Sequence, residues 1–292
     1  MKYIYKAIFI LLAYALISII SQKGTKEEIK KNRISVENAN ALDSFFINNN
    51  YIVDSIFVDS LVPQIFTENI FKSLKDVKVK EKKSMFFRIL LPSILQSNND
   101  ILKERKFVLS IKQKEKLTGK EKRKLKKIAK KYSGKIDDLD ELLQRVDIVP
   151  PSLAIAQAIT ESGWGTSRYA IKGNALFGHH VSKKDTSDFM KSQNSNVRMK
   201  AFNTITEAVE AYMHNINSTK SYRNLRKYRA ELRLKAKQIT GKDLASHLTK
   251  YSIKGVEYTI AIKNMIRQQK LARFDFVRLK EENTIILVRV LE

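Results

Sequence analysis

The sequence predicts a mostly α, α+β fold, and three observations carry that reading. Apolar residues recur at helical spacing in successive segments between Ser84 and Ile266. Period-two alternation is confined to short stretches near residues 197–201 and 284–290. Between them, residues 150–178 (PPSLAIAQAITESGWGTSRYAIKGNALFG) hold the only tryptophan, Trp164, two of the four prolines and four of the nine glycines. So constrained a backbone inside Lys-rich surroundings marks a candidate site.

The first part of that stretch reads as a buried helix. Pro150 and Pro151 open it, because the first turn needs no N–H donor, residues 153–159 are apolar nearly all round, and Gly163 stops the run. Glu161 falls in the last turn, beside unpaired carbonyls and near Trp164. Both surroundings favour the protonated carboxyl, as a general acid for glycoside cleavage requires. The alternative is a helix-end carboxylate paired with Arg168. A second glycine after Trp164, a short turn over residues 166–171 and the sequence Asn174-Ala-Leu-Phe-Gly178 form a tight return toward the helix end.

At these residues the chain resembles the glucosaminidase-type peptidoglycan hydrolases (mannosyl-glycoprotein endo-beta-N-acetylglucosaminidase-like), and within them the Bax-like proteins of Gram-negative bacteria. The likeness extends upstream to VPQIF at residues 62–66 and KKSMFFRILLPSILQSNNDILKER at 82–105, and downstream to VRMKAF, the helix of residues 212–222 and YSIKGVEYTIAIKNMI. It implies a lysozyme-like helical domain with a small β-hairpin lobe over a cleft. It also implies that Gln157, Trp164, Asn174, Phe177, Tyr222 and Tyr251 contact substrate, while half-buried core remains open for the two tyrosines. The second acid of this family, where present, lies on the β-lobe. Here no Glu occurs between Ser162 and Asn203, so Asp185 and Asp188 are the carboxylates available to join Glu161. The substrate's own acetamido group is the other candidate. The implied reaction is hydrolysis of peptidoglycan glycan strands at N-acetylglucosaminyl linkages, without cofactor or metal and by a monomer. A muramidase, a lytic transglycosylase and a non-catalytic wall-binding module are the alternatives.

The remaining elements follow in order. Lys2 and Lys6 precede an apolar run over residues 7–20, the order of an export signal, so residues 1–22 read as a signal peptide or an inner-membrane anchor facing the periplasm. Residues 23–135 read as a linker, to about Glu37, and a basic helical region. In it, residues 84–95 and 101–111 form two helices broken near Pro92. Residues 136–270 form the catalytic domain. It opens with an amphipathic helix bearing Leu139, Leu142, Leu143 and Val146, and it includes a helix with Thr204 and Glu207 at capping-box spacing. Residues 271–292, with Phe274, Phe276 and alternation over 284–290, read as a C-terminal β-hairpin.

Composition sets the bounds. A chain of 292 residues with 43% hydrophobic content can bury a core, and the absence of cysteine excludes disulfides, thiol catalysis and Cys-based zinc sites. The net charge of +25 arises in part from the basic stretch 103–135. Its lysines are not interleaved with aromatic or Gly-rich features and no recognition-helix or zinc-finger pattern occurs, so no specific nucleic acid is expected. Either a solvated face or attraction to an anionic wall or membrane surface accounts for it. His179 and His180 are adjacent on a predicted strand and point to opposite faces, which argues against a shared metal.

Overall fold

The computed structural model describes residues 31–181, 188–191, 198–251 and 255–290, so the expected export segment and Asp185 lie outside the described residues. The chain enters through β1 (Lys31–Val36), α1 (Ala39–Asn48), α2 (Ile56–Asp59), β2 (Leu61–Val62) and β3 (Ile65–Thr67), then a 3-10 turn at Lys72–Lys75. Helices α3 (Val79–Lys112), α4 (Gly119–Lys131), α5 (Leu139–Arg145), α6 (Pro151–Ser162) and α7 (Arg168–Gly173) follow. The pair β4 (Phe189–Lys191) and β5 (Arg198–Lys200) precedes α8 (Ile205–Ser218), α9 (Arg223–Leu234), α10 (Gly241–Ala245) and α11 (Val256–Gln268). A 3-10 turn, Leu271–Phe276, leads into β6 (Arg278–Leu279) and β7 (Thr284–Arg289). The fold is mostly α with three small sheets among the described residues, as the periodicity predicts.

Several starts are set by local chemistry that the sequence displays. Thr118 and Glu121 form a complete capping box at α4, and Asn38, Asp138, Ser167 and Thr204 cap α1, α5, α7 and α8 with side-chain oxygens. In the β-lobe, β5 pairs antiparallel with β4, Phe189 facing Lys200, and on its other side Val181 N donates to Arg198 O (2.8 Å) and Lys200 N to His179 O (2.8 Å). The expected lobe is therefore present, with β4 as a further strand on the side of β5 opposite residues 179–181.

Three sequence-based expectations are corrected. Residues 31–36 form β1 rather than linker. The two helices expected around Pro92 are the single helix α3, 34 residues long. Proline removes the N–H that would bond to the carbonyl of Arg88, and that carbonyl accepts instead from the buried Tyr51 hydroxyl at 3.2 Å. Tyr51 comes from the α1–α2 connection, so no local pattern reveals the rescue. Thirdly, β6 and β7 do not pair with each other as a hairpin. β6 runs parallel to β2 (Leu61 opposite Arg278) and β7 lies between β1 and β3, parallel to β3 with Ile65 opposite Ile285. Alternation specifies a strand but not its partner, and here the edges of the N-terminal strands supply it, which buries Leu287. Phe274 sits in the preceding 3-10 turn, its ring 5.2 Å from that of Phe57 and 5.3 Å from that of Phe87.

That turn also carries Asp275, which serves two helix starts. Its carboxylate accepts from Ser152 N (2.8 Å) and Ser152 Oγ (2.7 Å) at the start of α6, and from Gly241 N (3.1 Å) at the start of α10. The two starts come so close that a Cβ on Gly241 would lie 2.1 Å from Ser152 Oγ and 2.5 Å from Leu153 N. Burial pushes the Asp275 carboxyl up to about 6, against the pull of its hydrogen bonds from Ser152 and Gly241. The folded state thus holds this proton more tightly than the unfolded chain does. Its stabilising effect is full below about pH 4 and is lost as pH rises through about 6. Asp275→Asn leaves an N–H donor unsatisfied and should be less stable by roughly 1–3 kcal/mol. Its melting temperature should fall less steeply than that of wild type between pH 4 and pH 6. Parallel slopes in calorimetry of the two proteins would remove Asp275 as the source.

Candidate active site

Helix α6 is buried along its length. Every residue of it except Thr160 and Glu161 is inaccessible, which requires both its ends to find partners inside the protein. Asp275 serves the start. At the other end Gly163 is left-handed (φ 58°) and donates its N–H to Ile159 O at 3.0 Å. Trp164 (φ 60°) and Gly165 (φ 75°) continue in the same region. A left-handed tryptophan costs about 1–2 kcal/mol and is held by packing. Its ring lies edge-on to Phe86 and Phe87 of α3, 5.8 and 5.7 Å away, with Lys83 Nζ 5.1 Å over its face. Gly165 approaches Phe86 so closely that a Cβ would lie 3.1 Å from the ring.

Glu161 emerges at the end of this helix, half-buried, in contact with two other elements. Tyr258 of α11 donates its hydroxyl to Oε1 at 2.9 Å. Gly178, left-handed at φ 67°, passes so near that a Cβ there would lie 2.8 Å from Oε2. Behind Tyr258 stands a chain of donors that all point toward the carboxylate. The Tyr212 hydroxyl donates to Gln157 Oε1 (2.7 Å), Gln157 Nε2 donates to the Tyr258 oxygen (3.0 Å), and Tyr258 donates to Glu161. Burial, and then the Glu161 charge, push the Tyr258 hydroxyl far above the ordinary tyrosine range, so it remains a donor at physiological pH.

Two more tyrosines complete this wall. Tyr251 stacks on Tyr258 with ring centres 5.2 Å apart and donates its hydroxyl to the Phe177 carbonyl (2.7 Å). Tyr222 lies 6.0 Å from Tyr251. Burial pushes the Tyr222 hydroxyl up to about 12; a hydrogen bond from its neighbour Asn215 pulls it down and the Glu161 charge raises it. Phe177 lies flat against Tyr212 at 4.2 Å, fully buried.

Of the residues singled out from sequence, Glu161, Gln157, Phe177, Tyr222 and Tyr251 converge. Gln157 and Phe177 are core that positions the tyrosines, whereas Trp164 packs toward α3. Asn174 is buried and left-handed (φ 49°); its amide accepts from Ile70 N (3.1 Å) and donates to the carbonyls of Phe202 (3.1 Å) and Asn203 (3.2 Å), so it ties the loop to the β-lobe. Arg168 donates to the Lys191 carbonyl (2.6 Å). Asp188 is exposed and lines a different cavity, of about 750 Å³, together with Asp100, Lys131, Glu207, Glu210 and His214; Glu161 is not part of its lining. His179 is held neutral, its imidazole pulled down to about 4 by burial and by the charges of Lys200 and His180. Tyr258 was not legible as a site residue: it shares a buried face with Ile262 and Ile266, and only the fold sets it against Glu161.

A buried helix presenting one carboxylate to a wall of tyrosines, beside a small β-lobe, defines a site fit for proton transfer to a bound ligand. Comparison with known proteins agrees with that class. Residues 136–271 match the family described as glucosaminidase, mannosyl-glycoprotein endo-beta-N-acetylglucosaminidase, and these residues carry the whole wall around Glu161. Protein bax of Escherichia coli (strain K12) is 34% identical over 186 residues, which cover 61% of this chain and 66% of that protein, just under two thirds of its length. Exo-glucosaminidase LytG of Bacillus subtilis (strain 168) is 39% identical over 71 residues, 21% of this chain and 25% of LytG. Among solved structures, the catalytic domain of the autolysin Auto from Listeria monocytogenes matches with a TM-score of 0.33 and 21% identity, covering 62% of this chain and 96% of that one. The chain thus matches the glucosaminidase family over residues 136–271 and is similar to a Bax protein.

Gly178 gives a direct test of the geometry. Gly178→Ala places a methyl group against Glu161 Oε2 in a left-handed backbone, which should lower stability by about 1–2 kcal/mol and reduce turnover further than that loss explains. Chemical denaturation and digestion of cell-wall sacculi by the same preparation check both effects. Full activity at reduced stability would separate Gly178 from the site.

Proposed function

We propose that this chain is a glycoside hydrolase, exported to act outside the cytoplasm, that cleaves peptidoglycan glycan strands at N-acetylglucosaminyl linkages with Glu161 as general acid. The observation that supports this most is the setting of Glu161: Tyr258 donates to Oε1, and the backbone at Gly178 passes close to Oε2. As general acid, Glu161 enters the reaction with its carboxyl protonated. In the reaction that proton passes to the glycosidic oxygen as the bond to the sugar's anomeric carbon breaks. Water then adds at that carbon and gives up a proton. The Tyr258–Gln157–Tyr212 chain holds the carboxyl in one orientation before and after transfer. The names of the family and of LytG, both glucosaminidases, support the choice of bond.

The second role goes to the substrate's acetamido group or to Asp185, because the cavity holding Asp188 does not include Glu161. Asp188→Asn should keep turnover within a few-fold of wild type; a loss of about 100-fold or more would give Asp188 the role of base. Export is supported by Lys2, Lys6 and the apolar run 7–20. Among the described residues no helix is long and apolar enough to cross a membrane.

The principal test is Glu161→Gln. It preserves shape and the acceptor for Tyr258 but removes the transferable proton, so digestion of purified sacculi should fall by about 100-fold or more while binding to sacculi persists. Its melting temperature should be unchanged or raised, as for a group retained for function rather than stability. Mass spectrometry of the wild-type products should show reducing N-acetylglucosamine ends. Wild-type digestion rates in the variant would sink the assignment.

A further inference from the structure

A second cavity, of about 540 Å³, opens between α5 and the start of α9, and cations dominate its lining: Lys135, Arg145, Lys220, Arg223 and Arg226. Its two carboxylates are already engaged, Asp138 as the cap that accepts from Glu141 N (2.9 Å) and Glu141 in an ion pair with Arg145. Arg226 is 2% exposed. Its Nη1 donates to the carbonyls of Ile216 (3.0 Å) and Thr219 (2.7 Å), while Nε and Nη2 make no hydrogen bond with the described residues. Among the described residues neither Lys220 nor Arg223 forms an ion pair or a side-chain hydrogen bond.

Helix polarity adds to this field. Helix α9 begins without an acidic residue in its first turn and without a side-chain cap. Helix starts carry partial positive charge and favour anions, yet here the start is surrounded by cations. Burial, and then the charges of Arg145 and Arg229, pull the Arg226 guanidinium down to about 10. Such crowding is relieved by an oxyanion that accepts from several guanidinium and ammonium donors at once.

We propose that the cavity formed by Lys135, Arg145, Lys220, Arg223 and Arg226 is a binding site for a phosphate-type oxyanion, either free or at the surface of an anionic lipid headgroup. Its lining includes none of the residues around Glu161, and its occupancy is read by binding rather than by hydrolysis.

The experiment uses the full chain and two charge-matched double variants. Lys220→Glu with Arg223→Glu alters the cavity, whereas Lys120→Glu with Lys122→Glu makes the same charge change on the exposed face of α4. Melting is followed during titration with inorganic phosphate, at ionic strength held constant with potassium chloride. Phosphate should raise the melting temperature of wild type and of the α4 variant, while the cavity variant's apparent affinity falls by roughly tenfold or more, consistent with loss of charge-assisted bonds. Co-sedimentation with phosphatidylglycerol and phosphatidylcholine vesicles separates the sources. Loss of phosphatidylglycerol binding confined to the cavity variant identifies a lipid headgroup, and equal sedimentation of all three proteins identifies a free phosphate. Absence of a phosphate response in wild type, or an equal response in both double variants, overturns the proposal. A melting curve for each variant without phosphate establishes that it is folded.

Discussion

A helix buried on all sides has to satisfy both its ends without water, and much of this structure answers that requirement for α6. Asp275, from the far end of the chain, accepts the N–H groups at its start. Gly163, Trp164 and Gly165 turn left-handed at its end, and α3, α10 and α11 cover its sides. The result is a rigid stem that presents Glu161 near its end, in a direction fixed by backbone rather than by solvent. A loop could carry the same carboxylate, but it could not hold it against Tyr258 and Gly178 with comparable precision.

The connection leading into α6 is secured in the same way. Asp147, 1% exposed, binds Arg233 (2.7 Å) and lies 3.5 Å from Arg105 and 3.9 Å from Arg229. Burial alone would raise its carboxyl, but these three cations outweigh burial and hold it below the ordinary range. Asn98 of α3 grips Val149 through both its amide atoms, at 3.0 and 2.8 Å, just before the two prolines. Removing one partner would leave a buried charge uncompensated, so this cluster helps to fix the entry of the helix.

Long-range satisfaction also explains where local patterns mislead. Pro92 signals a break, yet α3 continues because Tyr51 supplies the missing donor. The last two strands look like a hairpin, yet they complete sheets begun by β1, β2 and β3. In each case the missing hydrogen-bond partner lies far away in sequence, beyond the reach of any window of periodicity.

By itself the sequence determined the helical character, the burial and boundaries of α6 through Pro151 and Gly163, the cap at Thr204, and the place of Glu161 in the last turn of α6, because these depend on spacing and on conformational limits of single residues. Only the tertiary structure decided what surrounds that carboxylate. Tyr258, Gly178 and the donor chain through Gln157 and Tyr212 come from four separate elements, and Asp188 falls in another cavity although it lies in the expected lobe. Hydrogen bonds between distant side chains depend on distances in space, and those are fixed when the helices pack.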